Sequence, residues 1–141
     1  MKKILILSMN NACRSQMAEG WFSYYGKGEV ETFSAGFKPT FLDLHAAQSM
    51  MDAVIDITKY RSKSLNDVID NRFDYVICLD NNIKDILPEF KNSPTILFYN
   101  FEDISSKDID DEDKRQVYDD LRDELENLAF DFIHANIKAL Y

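Results

Sequence analysis

The stretch Ile4-Leu5-Ile6-Leu7-Ser8-Met9-Asn10-Asn11-Ala12-Cys13-Arg14-Ser15-Gln16-Met17-Ala18-Glu19-Gly20-Trp21-Phe22 decides the fold. Its opening run of four apolar residues is short and unbroken, the pattern of a strand buried on both faces of a parallel sheet. Met17, Ala18, Trp21, Phe22 and Tyr25 then recur at steps of three and four, which predicts a helix from residue 14 to 25, with Gly26 and Gly28 as its stop. A strand, an eight-residue loop and a helix are therefore contiguous.

The same reading extends outward. Residues 30–35 predict a second strand ending at Gly36, and Asp43 is placed to cap a helix that carries Leu44, Ala47, Met50 and Met51. Ser64 can cap a short helix with Leu65, Val68 and Ile69. Residues 73–79 are aromatic and β-branched and predict a third strand; residues 81–87 predict a short helix stopped by Pro88; residues 95–99 predict a fourth strand. From about Asp111, Val117, Leu121, Leu125, Leu128, Phe132 and Ile137 recur at helical steps, which predicts a long amphipathic helix to the C-terminus. Strands alternating with helices imply right-handed crossovers. The expectation is one α/β domain over residues 1–141, a three-layer sandwich with a four-stranded parallel sheet and helices on both faces.

Composition agrees with this. A chain of 141 residues that is 45% hydrophobic can build one core of ordinary size but not two. The net charge of −9 argues against a nucleic-acid surface, which needs clustered Lys and Arg. Up to Lys63 there are 8 basic and 6 acidic residues; beyond it there are 8 basic and 19 acidic, so an anion site is easier to build in the first half. No apolar run approaches the roughly 20 residues of a membrane span, and the run at residues 4–7 is too short for a leader, so a cytoplasmic protein without membrane contact is expected. Two distant cysteines, Cys13 and Cys78, and two distant histidines give no metal-ligand spacing, so no bound metal is expected.

In open parallel sheets ligands bind beyond the carboxyl ends of the strands, where the strand order reverses, which singles out the loop from Ser8 to Ser15. A turn from a strand into a helix N-terminus aims successive N–H groups at one point, and the helix dipole adds positive charge there. Arg14 adds planar, bidentate donors suited to a tetrahedral oxyanion.

These residues carry a resemblance. Ser8, five intervening residues and Arg14-Ser15, with Asn11 and Cys13 between, resemble the phosphate-binding loop of the low-molecular-weight protein tyrosine phosphatases and of the arsenate reductases that share their fold. The match continues through Arg14-Ser15-Gln16-Met17-Ala18-Glu19-Gly20-Trp21, Ser34-Ala35-Gly36, Ile55-Asp56-Ile57 and residues 74–87. It implies an oxyanion loop made of Met9, Asn10, Asn11, Ala12, Cys13, Arg14 and Ser15, with arsenate, phosphate or a phosphomonoester as substrate. Gln16 and Arg122-Asp123-Glu124 are similar to the reductases. In contrast, Asp80 stands where a thioredoxin-coupled reductase has its first resolving cysteine, and the turn Cys78-Leu79-Asp80-Asn81-Asn82 is similar to the phosphatases. A reductase built this way needs an external thiol, thioredoxin or a small one, and no bound cofactor.

The family's nucleophile is a cysteine, and here the position holds Ser8. A loop of N–H groups and an Arg lower a thiol pKa far below its reference of about 8.5, whereas an alcohol stays protonated. No histidine lies near Ser8 in sequence to act as its base. The chain as written is therefore expected to bind oxyanions and scarcely turn them over. Two accounts of Ser8 stand: a cysteine replaced in otherwise preserved machinery, or a serine native to an oxyanion-binding protein.

The resemblance assigns further roles. Asp103 matches the acid that protonates the leaving oxygen, although Ile104 replaces the family's following Pro and implies a looser loop. Seven acids and one base between Glu102 and Asp113 imply a field favouring small or basic substrates. Asn11, Ser15 and Ser34 are expected to brace the loop, and Asn10, in place of a family Gly, to take its left-handed conformation. Asn11, Glu19 and Ser34 match residues that hold potassium in some reductases; Lys63 sits near the place of the remaining acid, so its ammonium is expected to replace the ion. Cys13 matches a second loop cysteine and is expected to be either a resolving thiol, once a cysteine replaces Ser8, or a packed one.

Overall fold

In a computed structural model, residues 1–138 are described. Strand β1 (Lys2–Ser8) is central because its neighbours cover both its edges: β2 (Val30–Gly36) pairs parallel on one side and β3 (Tyr75–Cys78) on the other, and β4 (Thr95–Phe98) pairs parallel with β3. The order β2-β1-β3-β4 reverses direction at β1. Successive side chains of β1 point to opposite faces. Ile4 and Ile6 enter one core and Leu5 and Leu7 another, all fully buried.

The two cores are covered differently. Three α-helices, α1 (Arg14–Tyr25), α2 (Leu44–Asp52) and α3 (Asp111–Asn136), contribute to the core of Ile4 and Ile6 through Phe22, Met50 and Leu125 among others. Leu5 and Leu7 are covered by Leu65, Val68, Phe73 and Ile83, which lie in and beside two 3-10 helices, Leu65–Asp67 and Asn81–Ile86. The three layers and the helices on both faces are as expected, but the second face carries only short, tight helices. Pro88 ends the second of these helices two residues after Ile86.

The end signals hold. Asp43 caps α2 by accepting from His45 N–H at 2.9 Å, and Ser64 and Asp67 form a reciprocal capping box. The third strand is shorter than residues 73–79, but Leu79 N–H still reaches Leu7 C=O at 2.9 Å and carries the pairing toward the loop. The long helix, expected to run to the C-terminus, ends at Asn136, where Ile137 N–H closes on Ile133 C=O; residues 139–141 lie outside the described residues. Among the described residues no helix is long and apolar enough to cross a membrane.

Candidate oxyanion site

The loop leaves β1 at the point where the strand order reverses and enters α1. Its carbonyls are turned outward and taken up by neighbours. Met9 C=O accepts from Phe37 and Lys38 N–H at 2.9 Å each, Asn10 C=O from Thr40 N–H at 3.1 Å, Asn11 C=O from Ser62 Oγ at 2.7 Å and Gln16 Nε2 at 3.0 Å, and Ala12 C=O from Asp43 N–H at 2.8 Å. The N–H groups of Asn10, Ala12, Cys13 and Arg14 have no acceptor among the described residues. A loop whose carbonyls face away and whose amides face in is a nest for an anion, here opening on a helix N-terminus.

Asn11 is the brace. Its backbone is left-handed, with φ of 50°, so the expectation for Asn10 falls one residue on. The reason is side-chain bonding: Asn11 Nδ2 donates to Ser15 Oγ at 2.8 Å, and its Oδ1 accepts from Lys63 N–H at 2.8 Å. Asn11 N–H donates to Ser8 Oγ at 3.2 Å. Ser8 Oγ and Ser15 Oγ are 2.6 Å apart and share one hydrogen bond. Ser8 thus lies at the floor of the nest, 2% exposed, held by two partners of which none is a base. His45 packs against the Tyr118 ring and His134 against Phe130; neither hydrogen-bonds to Ser8.

Arg14, the first residue of α1, is 4% exposed. Its guanidinium donates to Phe101 C=O at 2.9 Å and pairs with Asp80 Oδ2 at 3.0 Å, with Asp103 Oδ2 farther off at 3.9 Å. Asp80 was not among the residues the sequence singled out for Arg14. Its other oxygen accepts from Asn82 N–H at 3.0 Å and caps the 3-10 helix after β3. The signal was available as an acid at the carboxyl end of the strand beside β1, followed by the Asn-Asn of a capped turn.

Asp103 lies near Arg14, just before a 3-10 turn, Ile104–Ser106, which it caps through Ser105. Ile104, which stands where the family has Pro, is buried in the α-helical core beside the turn. A cleft of about 330 Å3 runs from Ala12 between Thr40, Asp43, Ile104, Lys107 and Tyr118. It touches the loop at Ala12.

The supporting residues also converge. Ser34 Oγ donates to Glu19 at 2.6 Å, and Lys63 Nζ lies 3.9 Å from the same carboxylate while donating to Arg61 C=O at 2.8 Å. Burial pushes the Glu19 carboxyl up, against the opposing pull of Ser34 and Lys63. Cys13 is 3% exposed with Sγ 3.9 Å from Met17 Sδ, and burial, with Asp43 and Asp103 near, pushes its thiol up. Cys78 is buried in the other core, and burial pushes it up to about 12. The two thiols lie in the cores on opposite sides of the sheet, so they are not placed to pair with one another.

A parallel sheet, an amide nest at its order reversal and an arginine beside that nest define an α/β protein with a candidate oxyanion site. The chain belongs to the low molecular weight phosphotyrosine protein phosphatase family, whose model matches residues 3–140. It is 31% identical over 124 residues to an arsenate reductase of Halalkalibacterium halodurans, covering 88% of this chain and 89% of the relative. A solved arsenate reductase in its oxidized state superposes with a TM-score of 0.74 at 28% identity, over 92% of this chain and 97% of the other. The tyrosine phosphatase AmsI of Erwinia amylovora shares the fold, with a TM-score of 0.78 at 18% identity over 95% and 92% of the two chains.

Proposed function

We propose that the chain binds arsenate or phosphate in the loop from Ser8 to Ser15 and belongs with the arsenate reductases of its family, with reduction blocked at Ser8. The observation that carries this reading is the nest itself: four carbonyls turned outward onto neighbouring segments, loop amides with no acceptor among the described residues, and the buried Arg14 at the start of α1. The relative that is 31% identical is an arsenate reductase, which supports arsenate as the oxyanion.

The residues present stop at binding. Reduction in this loop requires a thiolate that attacks arsenic with loss of hydroxide. An external thiol then attacks the thiolate sulfur, giving a disulfide and releasing arsenite, the arsenic gaining the two electrons. Ser8 supplies no thiolate, and its alcohol has no base. Cys13 and Cys78 are buried, so the second thiol has to come from thioredoxin or a small thiol.

One observation favours a second reading. Asp80 holds Arg14 where a resolving thiol is expected, and Asp103 is near the same arginine, an arrangement suited to transfer of a phosphoryl group with Asp103 as acid. The experiment is arsenite production by Ser8→Cys with arsenate and thioredoxin or a small thiol, alongside calorimetric binding of arsenate and phosphate to the Ser8 chain. Binding by the Ser8 chain and arsenite only from Ser8→Cys supports the reductase reading. Phosphomonoester hydrolysis without arsenite moves it to a phosphatase, and binding with no turnover by either chain makes Ser8 native to a binding protein.

A further inference from the structure

The loop after β1, the turn after β3 and the turn after β4 open at the same end of the sheet, because the three strands run parallel. They bring one guanidinium and two carboxylates together: Arg14 Nη2 is 3.0 Å from Asp80 Oδ2 and 3.9 Å from Asp103 Oδ2. The positive charge of Arg14 is therefore matched by Asp80, and Asp103 adds a negative one. The same balance is felt inside the loop. Burial most of all, then Asp43 and Asp103, push the Cys13 thiol up, each ahead of the opposing pull of Arg14. Amides that favour an anion are thus set among side chains whose summed charge opposes one.

The four carboxylate oxygens are not equivalent. Asp80 Oδ1 accepts from Asn82 N–H at 3.0 Å, and Asp80 Oδ2 is held by Arg14. Asp103 Oδ1 accepts twice from Ser105, from its N–H at 3.1 Å and its hydroxyl at 2.5 Å. Asp103 Oδ2 alone has no hydrogen-bond donor among the described residues, since Arg14 at 3.9 Å is beyond hydrogen-bond distance. It is an acceptor without a donor, in a side chain 26% exposed, beside the arginine of the site.

We infer, resting on the oxyanion reading of the loop, that Asp103 Oδ2 determines which oxyanion is held: it accepts a hydrogen bond from an anion that still carries a proton. Hydrogen phosphate and hydrogen arsenate each donate their O–H to Asp103 and offer their bare oxygens to the loop amides and Arg14. Sulfate has the same tetrahedral shape and, at mildly alkaline pH, the same double charge as hydrogen phosphate, but it has no proton to give. It sets an acceptor against an acceptor, and the carboxylate loses its water without gaining a partner. A site built to hydrogen-bond a ligand hydroxyl rejects the analogue lacking it far more strongly than a difference in size would.

Calorimetric titration of the full chain with phosphate and with sulfate at mildly alkaline pH tests this, because both anions are then divalent and phosphate alone carries a proton. Phosphate is expected to bind at least about a hundred-fold tighter than sulfate. Asp103→Asn keeps an oxygen for Ser105 N–H and puts an amide donor in the place of Oδ2. It is expected to tighten sulfate until the two anions lie within a few-fold of each other. Asp80→Asn removes a charge whose oxygens are already engaged, and is expected to tighten both anions alike and leave their ratio unchanged. Equal affinities for phosphate and sulfate in the unaltered chain overturn the inference without recourse to a variant. A preference for phosphate that Asp103→Asn leaves intact, or that Asp80→Asn abolishes as fully, overturns the assignment to Asp103. Failure to bind either anion overturns the oxyanion reading and the inference with it.

Discussion

Arg14 and Asp80 form a 3.0 Å ion pair that is almost wholly buried, joining the helix after β1 to the turn after β3. Asp80 fixes the direction of the guanidinium from the side, and also neutralises it when no anion is bound. Removing one member of a buried pair costs about 3–5 kcal/mol, because the other charge is left uncompensated. Asp80→Asn keeps the cap on Asn82 and deletes the charge. Its thermal midpoint should fall, and phosphate should restore more of it than it adds to the unaltered protein, a difference read by melting with and without phosphate.

Tyr118 acts on the loop from a distance. Its hydroxyl donates to Asp43 Oδ2 at 2.5 Å, and Asp43 N–H holds Ala12 C=O. A hydrogen bond to a charged group contributes about 1.5–3 kcal/mol. Tyr118→Phe should weaken phosphate binding several-fold with the circular dichroism of the helices unchanged, and Asp43→Ala, which also uncaps α2, should weaken it further; equal affinity in all three proteins would separate Asp43 from the loop.

Gly36 lies where the end of β2 approaches the loop. A Cβ there would meet Met9 O at 2.8 Å, Asn11 N at 2.9 Å and Asn10 C at 3.0 Å, all backbone atoms. Gly36→Ala must therefore push the loop aside. Phosphate affinity should fall at least ten-fold while the core stays folded, as measured by calorimetry and near-ultraviolet circular dichroism.

Neither thiol should react in the native protein at neutral pH, since burial holds both protonated. Alkylation by iodoacetamide should await unfolding. The sign for stability follows from the raised folded pKa of Cys78: below its ordinary 9.0 both states are protonated, and between 9.0 and about 12 only the folded state retains the proton. Stability should decline as pH rises through that window, and Cys78→Ala, though it leaves a small cavity, should flatten the decline.

Lys63 places its ammonium beside the half-buried Glu19 carboxylate. Oxyanion binding should be indifferent to added potassium. Lys63→Ala should make binding potassium-dependent, measured by phosphate titration in sodium and in potassium salts; potassium dependence of the unaltered chain would refute the substitution of ion by ammonium.

The layers of the fold were legible because each rests on local signals: the apolar run of residues 4–7, the caps Asp43 and Ser64, and Pro88 as a stop. The loop, Arg14 and Asp103 were legible from their positions relative to strand ends. What was not legible depends on long-range bonding. Asn10 and Asn11 are chemically alike, and only the partners supplied by Ser15 and Lys63 settle which one turns left-handed. Asp80 is 66 residues from Arg14, and their pairing follows from the adjacency of β1 and β3 rather than from any motif. The burial of Ile104 likewise depends on distant packing in the α-helical core and carries no local signal.

The outward carbonyls of residues 9–12 have a kinetic consequence. Because these groups are already fastened to residues 37–43, Ser62 and Gln16, the nest does not have to be assembled around its guest. An anion entering it loses its own freedom but orders almost none of the protein, so association should approach the encounter limit and selectivity among oxyanions should reside in how long each one stays.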